Sequence, residues 1–263
     1  MTIIDTHVHL YDLPDPVTAL RESALAGVTD VVTLGVDLAS NQKHCDLIHS
    51  VQAESSGSIP RVHLALGLHP GNITTPEDTE ACLQFMRAHI SGAVAIGETG
   101  LDFWYKSVRK DEAGKQQQRD VFKRHLELAV EFDLPVVIHS RGAWRDAFER
   151  TRAFGIKKAL FHWYSGPVDV LKDILDTGYM VSVSPALEYS PEARRTAEYV
   201  SLERVLVETD TPVAVNGPDG SRIPSIPKDV WRTFKALCAI KNTDEAKALA
   251  VLNSNARAFF NMA

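Results

Sequence analysis

The chain has 263 residues, 44% hydrophobic and 24% charged, which supplies a large core and excludes disorder or a collagen-like chain. Its length fits either two small domains or one α/β barrel. A net charge of −6 excludes a global positive field drawing the protein onto nucleic acid, so any such contact must be local.

Short apolar, β-branched runs recur along the chain at Thr2 to Val8, Thr29 to Leu34, Val62 to Leu68, Ala93 to Ile96, Leu134 to Ile138, Lys158 to Phe161, Tyr179 to Val183 and Arg204 to Val207. They are nearly continuous in hydrophobicity rather than alternating, which predicts strands of a parallel sheet covered on both faces. Helical periodicity fills the gaps: in Lys115 to Phe132, the residues Phe122, Leu126, Ala129 and Val130 form one apolar stripe. Asp15-Pro16, Pro76-Glu77-Asp78, Gly166-Pro167 and Ser190-Pro191-Glu192 read as helix starts, and Gly27, Gly155 and Gly178 as helix stops. Asn216 to Pro227 reads as a long loop after the eighth strand, and the segment Asp229 to Phe260 as helices that close the barrel.

Eight strands alternating with helices, with no linker-like stretch between them, predict one α/β domain over residues 1–263, a single (β/α)8 TIM barrel. An open doubly wound sheet would carry a Gly-rich loop after its first strand, where this chain has His7-Val8-His9. Val28 to Val36 and Leu134 to Ile138 are far short of the ~20 residues that span a bilayer, and the segment MTIIDTHVHL lacks a basic flank, so neither membrane nor secretory signal is expected. Cys45, Cys82 and Cys238 are scattered and odd in number, which fits buried thiols in a reducing cytoplasm.

Chemistry-bearing residues fall at the strand ends. The period of two along a strand aims His7 and His9 to the same side, although a His-x-His alone is compatible with two incidental polar residues. Glu98 is expected just past the fourth strand, with His139, His162 and Asp210 ending the fifth, sixth and eighth. Each alone reads equally as a capping or supporting group. Asp and Glu number 34 and His 10, so a given strand end carries one of them by chance about one time in six, yet five of eight ends do. Four imidazoles and two carboxylates suit two divalent transition metals, whereas a closed structural zinc needs four ligands. His7, His9, Glu98 and Asp210 are expected to hold one metal and Glu98, His139 and His162 the other, with Glu98 as bridge. Such a pair activates water, and Asp210 is placed to accept its proton. Asp5, Asp102 and Glu208 are candidates to orient the imidazoles. His44, His49, His63, His89 and His125 fall out of line with the mouth.

His7-Val8-His9, Gly67-Leu68-His69-Pro70, Gly97-Glu98-Thr99-Gly100-Leu101-Asp102, His139-Ser140-Arg141, His162-Trp163-Tyr164-Ser165-Gly166 and Glu208-Thr209-Asp210 together resemble the TatD family of metal-dependent deoxyribonucleases across nearly the whole chain. The resemblance implies a TIM barrel that cleaves DNA phosphodiesters with two divalent ions, Zn, Mg or Mn, in many members as a 3′ to 5′ exonuclease. It also implies that His69 and Arg141 hold substrate phosphate; a guanidinium two residues beyond a metal ligand suits that task, and a salt bridge to a neighbouring carboxylate is its alternative. The chain departs from the usual Cys-Phe at Trp163-Tyr164, and from the usual Arg-Asn-x-Pro segment at Ser221 to Pro227. Both changes bear on substrate choice rather than on the metals.

Trp104, Tyr105, Trp163 and Tyr164 are placed in mouth loops, where they stack on bases or pack loop against loop. Lys106, Arg109, Lys110 and Lys115 offer a local positive patch or simply a solvated face. The expected partner is DNA at single-stranded ends, with the chain a monomer or small homo-oligomer. A small-molecule amidohydrolase or phosphotriesterase-like hydrolase is the alternative, but those enzymes often bridge their metals with a carboxylated lysine, where this chain has Glu98.

Overall fold

A computed structural model describes residues 1–51, 58–217 and 220–262. Eight parallel strands follow one another around a barrel: β1 (Ile3–Val8), β2 (Val28–Leu34), β3 (Arg61–Leu66), β4 (Ala93–Asp102), β5 (Val136–Arg141), β6 (Ala159–Phe161), β7 (Met180–Val183) and β8 (Val205–Val207). Around them lie α1 (Pro16–Leu25), α2 (Leu38–Val51), α3 (Pro76–His89), α4 (Glu112–Phe132), α5 (Trp144–Ala153), α6 (Val168–Asp176), α7 (Pro191–Tyr199), α8 (Val230–Lys241) and α9 (Glu245–Phe260). Among the described residues no helix is long and apolar enough to cross a membrane.

Local sequence accounts for most boundaries. Asp15, Thr75 and Ser190 accept backbone N–H bonds from Thr18, Asp78 and Ala193, and a proline follows each to start α1, α3 and α7. Gly27, Gly155 and Gly178 end helices with φ of 88°, 67° and 91°, a region closed to most side chains. Strand residues are almost wholly buried because helices cover one face and barrel filling the other. In α4 the inward stripe is Phe122, His125, Leu126 and Ala129, while Val130, expected in it, is exposed.

The loop expected from Asn216 to Pro227 instead begins and ends in a short hairpin, β9 (Ala214–Asn216) against β10 (Arg222–Pro224); residues 218 and 219 lie outside the described residues. Cys45, Cys82 and Cys238 are free thiols on α2, α3 and α8.

The sheet closes where β1 meets the residues after β8. Asp210 N–H donates to the His7 carbonyl at 3.0 Å and His9 N–H to the Thr211 carbonyl at 2.8 Å. Beside them the buried Asp5 carboxylate accepts from the Thr209 hydroxyl at 2.6 Å and its N–H at 3.0 Å. Asp5, expected to orient an imidazole, therefore staples the seam instead. Burial pushes its carboxyl well above the usual range, outweighing the Thr209 bonds.

Candidate metal centre

Six residues meet at the C-terminal end of the barrel. His7 Nε2 and His9 Nε2 are 3.2 Å apart, confirming that the two-residue period aims both rings at one point. Asp210 Oδ1 stands 3.5 and 3.3 Å from these nitrogens, and Glu98 Oε2 3.4 and 3.3 Å. The other oxygen, Glu98 Oε1, faces His162 Nε2 at 2.8 Å and His139 Nδ1 at 2.9 Å, those two nitrogens being 3.3 Å apart.

Glu98 lies within β4, not beyond its end as the sequence suggested. The pairing explains this: Ile96 faces Val136 but Thr99 faces Ile138, so β4 carries one extra residue. Such a bulge re-aims a side chain, here the Glu98 carboxylate. Two glycines permit it. A Cβ on Gly67 would lie 2.4 Å from the Glu98 carbonyl, and Gly100, at φ 141°, would put one 2.0 Å from the His139 carbonyl. Within the Gly-Glu-x-Gly-Leu-Asp motif the first glycine is crowded as well, since a Cβ on Gly97 would lie 2.9 Å from the Val137 carbonyl.

The donor chemistry fits divalent cations. Ligands about 2.0 to 2.1 Å from a shared tetrahedral centre stand about 3.3 Å from one another, which is the spacing of His7, His9, Asp210 and Glu98 Oε2. His9 Nδ1–H donates to the Leu34 carbonyl at 3.0 Å, leaving the Nε2 lone pair facing the site. His139 Nε2–H donates to Asp102 Oδ2 at 3.0 Å, leaving Nδ1 free. His162 Nδ1 and Glu208 Oε1 are 3.4 Å apart, each otherwise unpartnered. Asp102 and Glu208 thus face imidazoles as expected, the arrangement that sets ligand tautomer and orientation.

Electrostatics follow the same division. Burial opposes the charged form of every group. Hydrogen bonds to Asp210 and Glu98 override it at His9 and carry its pKa up to about 10, while Glu98 and Glu208 raise His162 well above the usual imidazole range. His7 moves down, through burial and then repulsion from His162. Burial would raise the Glu98 carboxyl, but the surrounding imidazoles hold it well below the usual range.

His69 lies 3.6 Å from Glu98 Oε1, close enough to group with Glu98 and His139 as a possible ligand set. Its Nδ1, however, accepts the Gly71 N–H at 2.9 Å, so the neutral ring carries its proton on Nε2 and faces the site as a donor. Burial brings this ring's pKa down to about 3.

A cavity of about 680 Å³ opens over the cluster, lined by Tyr11, Asp12, His69, Asn72, Tyr105, Ser140, Arg141, Trp163 and Ser165 beside the six residues' exposed members. Arg141 makes the salt bridge considered for it, Nε pairing with Asp102 Oδ2 at 3.0 Å, while its side chain stays 47% exposed at the cavity wall. Trp163 lines the cavity, whereas Trp104 does not and stands outside it, 60% exposed. Tyr164 is buried, its hydroxyl donating to the Pro167 carbonyl at 2.8 Å, so it packs the loop.

Tyr11, Asp12, Asn72 and Ser165 were missed because no local pattern marks them. His44 stays out of the cavity lining, as expected, but supports it from behind. It is fully buried, accepts the Tyr11 N–H through Nε2 at 3.3 Å and contacts the Thr33 hydroxyl at 2.9 Å, so it holds the loop carrying Tyr11. His125 does likewise for the next loop, accepting Leu68 N–H at 3.1 Å.

A parallel β/α barrel gathering imidazoles and carboxylates at its C-terminal face has the architecture of a metal-dependent hydrolase. Comparison narrows the class. A sequence profile described as TatD related DNase matches residues 4–261, and the chain belongs to this family. It is 30% identical to an uncharacterized metal-dependent hydrolase TatD of Mycobacterium tuberculosis, over 97% of this chain and 96% of that one. It is 26% identical to the human deoxyribonuclease TATDN3, over 98% and 94%. The crystal structure of YJJV, a TatD homolog from Escherichia coli, superposes with a TM-score of 0.82 at 25% identity, covering 98% of each chain.

Proposed function

We propose that this hydrolase cleaves DNA phosphodiester bonds with two divalent ions, removing nucleotides from single-stranded ends in the 3′ to 5′ direction. One observation carries the reading: the two oxygens of Glu98 face separate sets of imidazoles, Oε2 toward His7 and His9, Oε1 toward His139 and His162. A carboxylate so placed suits a bridge. In this reading His7, His9, Asp210 and Glu98 hold one ion and Glu98, His139 and His162 the other. Bound there, two ions would lower the pKa of a shared water and offset charge on phosphoryl oxygens.

The chain's own groups do the rest. Asp210 accepts the proton of the attacking water. His69 donates from Nε2 and Arg141 from its guanidinium to the phosphate, the latter held at the wall by Asp102. Trp163 offers a face to the terminal base. A concave cavity suits a frayed end better than the interior of a duplex. The deoxyribonuclease name of the human relative supports the substrate class, and the free thiols suit a reducing compartment.

The experiment is metal analysis beside digestion of single-stranded DNA labelled at either end. About two ions per chain and stepwise loss from the 3′ end are expected. One ion per chain overturns the bridge. Intact DNA and RNA together with rapid hydrolysis of small esters, lactones or amides transfers the protein to the small-molecule hydrolases.

A further inference from the structure

The turn joining β4 to α4 carries chemistry that the proposed reaction leaves unused. Trp104 is exposed while its backbone N–H donates to Asp102 Oδ1 at 2.8 Å. The indole lies over Gly142, which has a φ of 69° and where a Cβ would come within 2.2 Å of the ring, so the glycine makes room for it. The Arg141 guanidinium stands 5.7 Å from the Trp104 ring centre and 5.5 Å from that of Tyr105. Arg141 and Tyr105 line the metal cavity, and Trp104 begins just outside it.

Beyond Trp104 the chain makes tight turns, with Arg109 N–H donating to the Tyr105 carbonyl at 2.8 Å and Asp111 N–H to that of Val108 at 2.9 Å. This turn exposes Lys106, Arg109 and Lys110, which form no salt bridge among the described residues. The carboxylates that follow are engaged: Asp111 caps α4 by accepting Ala113 N–H at 3.0 Å, and Glu112 pairs with Lys115 at 2.6 Å. In a chain of net charge −6, three unpaired cations beside an exposed indole are a local reversal of sign.

We propose that this turn is the track for the polynucleotide strand leaving the metal cavity. Trp104 stacks on the base next to the terminal one, and Lys106, Arg109 and Lys110 neutralise the phosphates beyond it. The inference rests on the phosphodiester reading of the cavity. Stacking on an indole is tolerant of base identity, and backbone cations are blind to sequence, so the track lengthens the footprint without adding base preference. Exposed Trp with Lys and Arg also occurs at membrane surfaces. Continuity with the cavity through Arg141 favours the nucleic acid.

The test measures binding of fluorescent single-stranded DNA to the metal-free protein, which cannot consume it. The parent is expected to bind a 12-nucleotide strand more tightly than a dinucleotide. Replacing Lys106, Arg109 and Lys110 together by Ala should remove that advantage, leave dinucleotide binding unchanged, and reduce the slope of log affinity against log salt by about 2. Trp104→Ala should weaken dinucleotide and 12-mer alike, by roughly 5- to 150-fold, and spare a mononucleotide. Unchanged thermal melting verifies that these surface variants fold. Equal parental affinity for dinucleotide and 12-mer overturns the track, as does a triple variant with the parent's salt slope. It also falls if the substitutions abolish binding to phosphatidylserine vesicles and spare DNA. Cleavage of a dinucleotide by the metal-loaded parent tests the cavity separately, so loss of the track leaves that reading standing.

Discussion

At the N-terminal end of the barrel the fully buried Asp30 carboxylate meets Arg61 Nε at 2.8 Å, His63 Nε2 at 2.9 Å and Arg257 at 4.0 Å. At the opposite end Glu98 meets the imidazoles of His7, His9, His69, His139 and His162, and His7 and His9 press their nitrogens together beside Asp210. Both are buried clusters of charge, but they are built differently. Around Asp30 the protein supplies the opposite charge itself, so burial is outweighed and the carboxyl is held down at about 2 by His63 and Arg61. At the mouth the donors converge on one another, His7 Nε2 on His9 Nε2 at 3.2 Å and His162 Nε2 on His139 Nδ1 at 3.3 Å. A self-complementary cluster rivets a fold, while lone pairs aimed at a common point prepare it for a cation.

The sharpest way to break this contrast is Glu98→Gln, which preserves shape and removes the charge facing both imidazole sets. Metal content should fall at both positions and turnover should drop on the order of 10³-fold or more, measured by elemental analysis beside single-turnover cleavage. Retention of both ions would falsify the shared bridge. Glu208→Gln comes next. The expected result is roughly 10- to 100-fold weaker metal binding in chelator competition, with metal-free melting nearly unchanged. A fall in metal-free stability with parental metal affinity would make Glu208 a packing residue.

Asp30→Asn probes the other end. Its folded pKa of about 2 lies below the unfolded value of about 3.9, so the charge stabilises the fold above that value and the contribution disappears as pH falls through 2. Denaturant unfolding at pH 7 should show a loss of about 2 kcal/mol with metal content intact. Metal loss on this substitution would mean that the two ends are not independent. The gentlest perturbation of the mouth is a change of pH during metal uptake. His9 and His162 keep protons more tightly than free imidazole, so a cation must displace them and affinity falls as pH falls, by about tenfold per unit for each proton released. Titration calorimetry in buffers of different ionisation enthalpy counts those protons, and zero release removes the argument.

The barrel and the meeting of six residues were legible because both rest on local regularities. Apolar runs mark strands buried on two faces, and His7 to His9 needs only the strand period. The bulge at Glu98 was not legible, since its extra residue is defined by the partner strand rather than by β4. Nor were the loops held by His44 and His125. A signal existed in α4, where His125 interrupts the apolar stripe of Phe122, Leu126 and Ala129. An inward polar residue at such a place needs a buried partner, here a backbone N–H. Trp104 was placed in the mouth on sequence proximity to β4. Its indole instead lies over Gly142, outside the cavity, and the wall there is Tyr105 and Arg141.

The seam between β1 and β8 also governs timing during synthesis. His7 and His9 are translated about 200 residues before Asp210, an interval of roughly 10 to 40 s at 5 to 20 residues per second. Throughout that interval two imidazoles lack the carboxylate that the seam bonds from Asp210 to His7 and from His9 to Thr211 later bring alongside. A nascent His-x-His is an open ligand whose taste follows intrinsic affinity, with copper above zinc and manganese. Selection by shape begins only when the ring has shut. Selection of an ion by the completed donor set is thus expected only once Asp210 has joined the seam, which metal pulses applied to stalled chains ending before Asp210 and to the full-length chain would test.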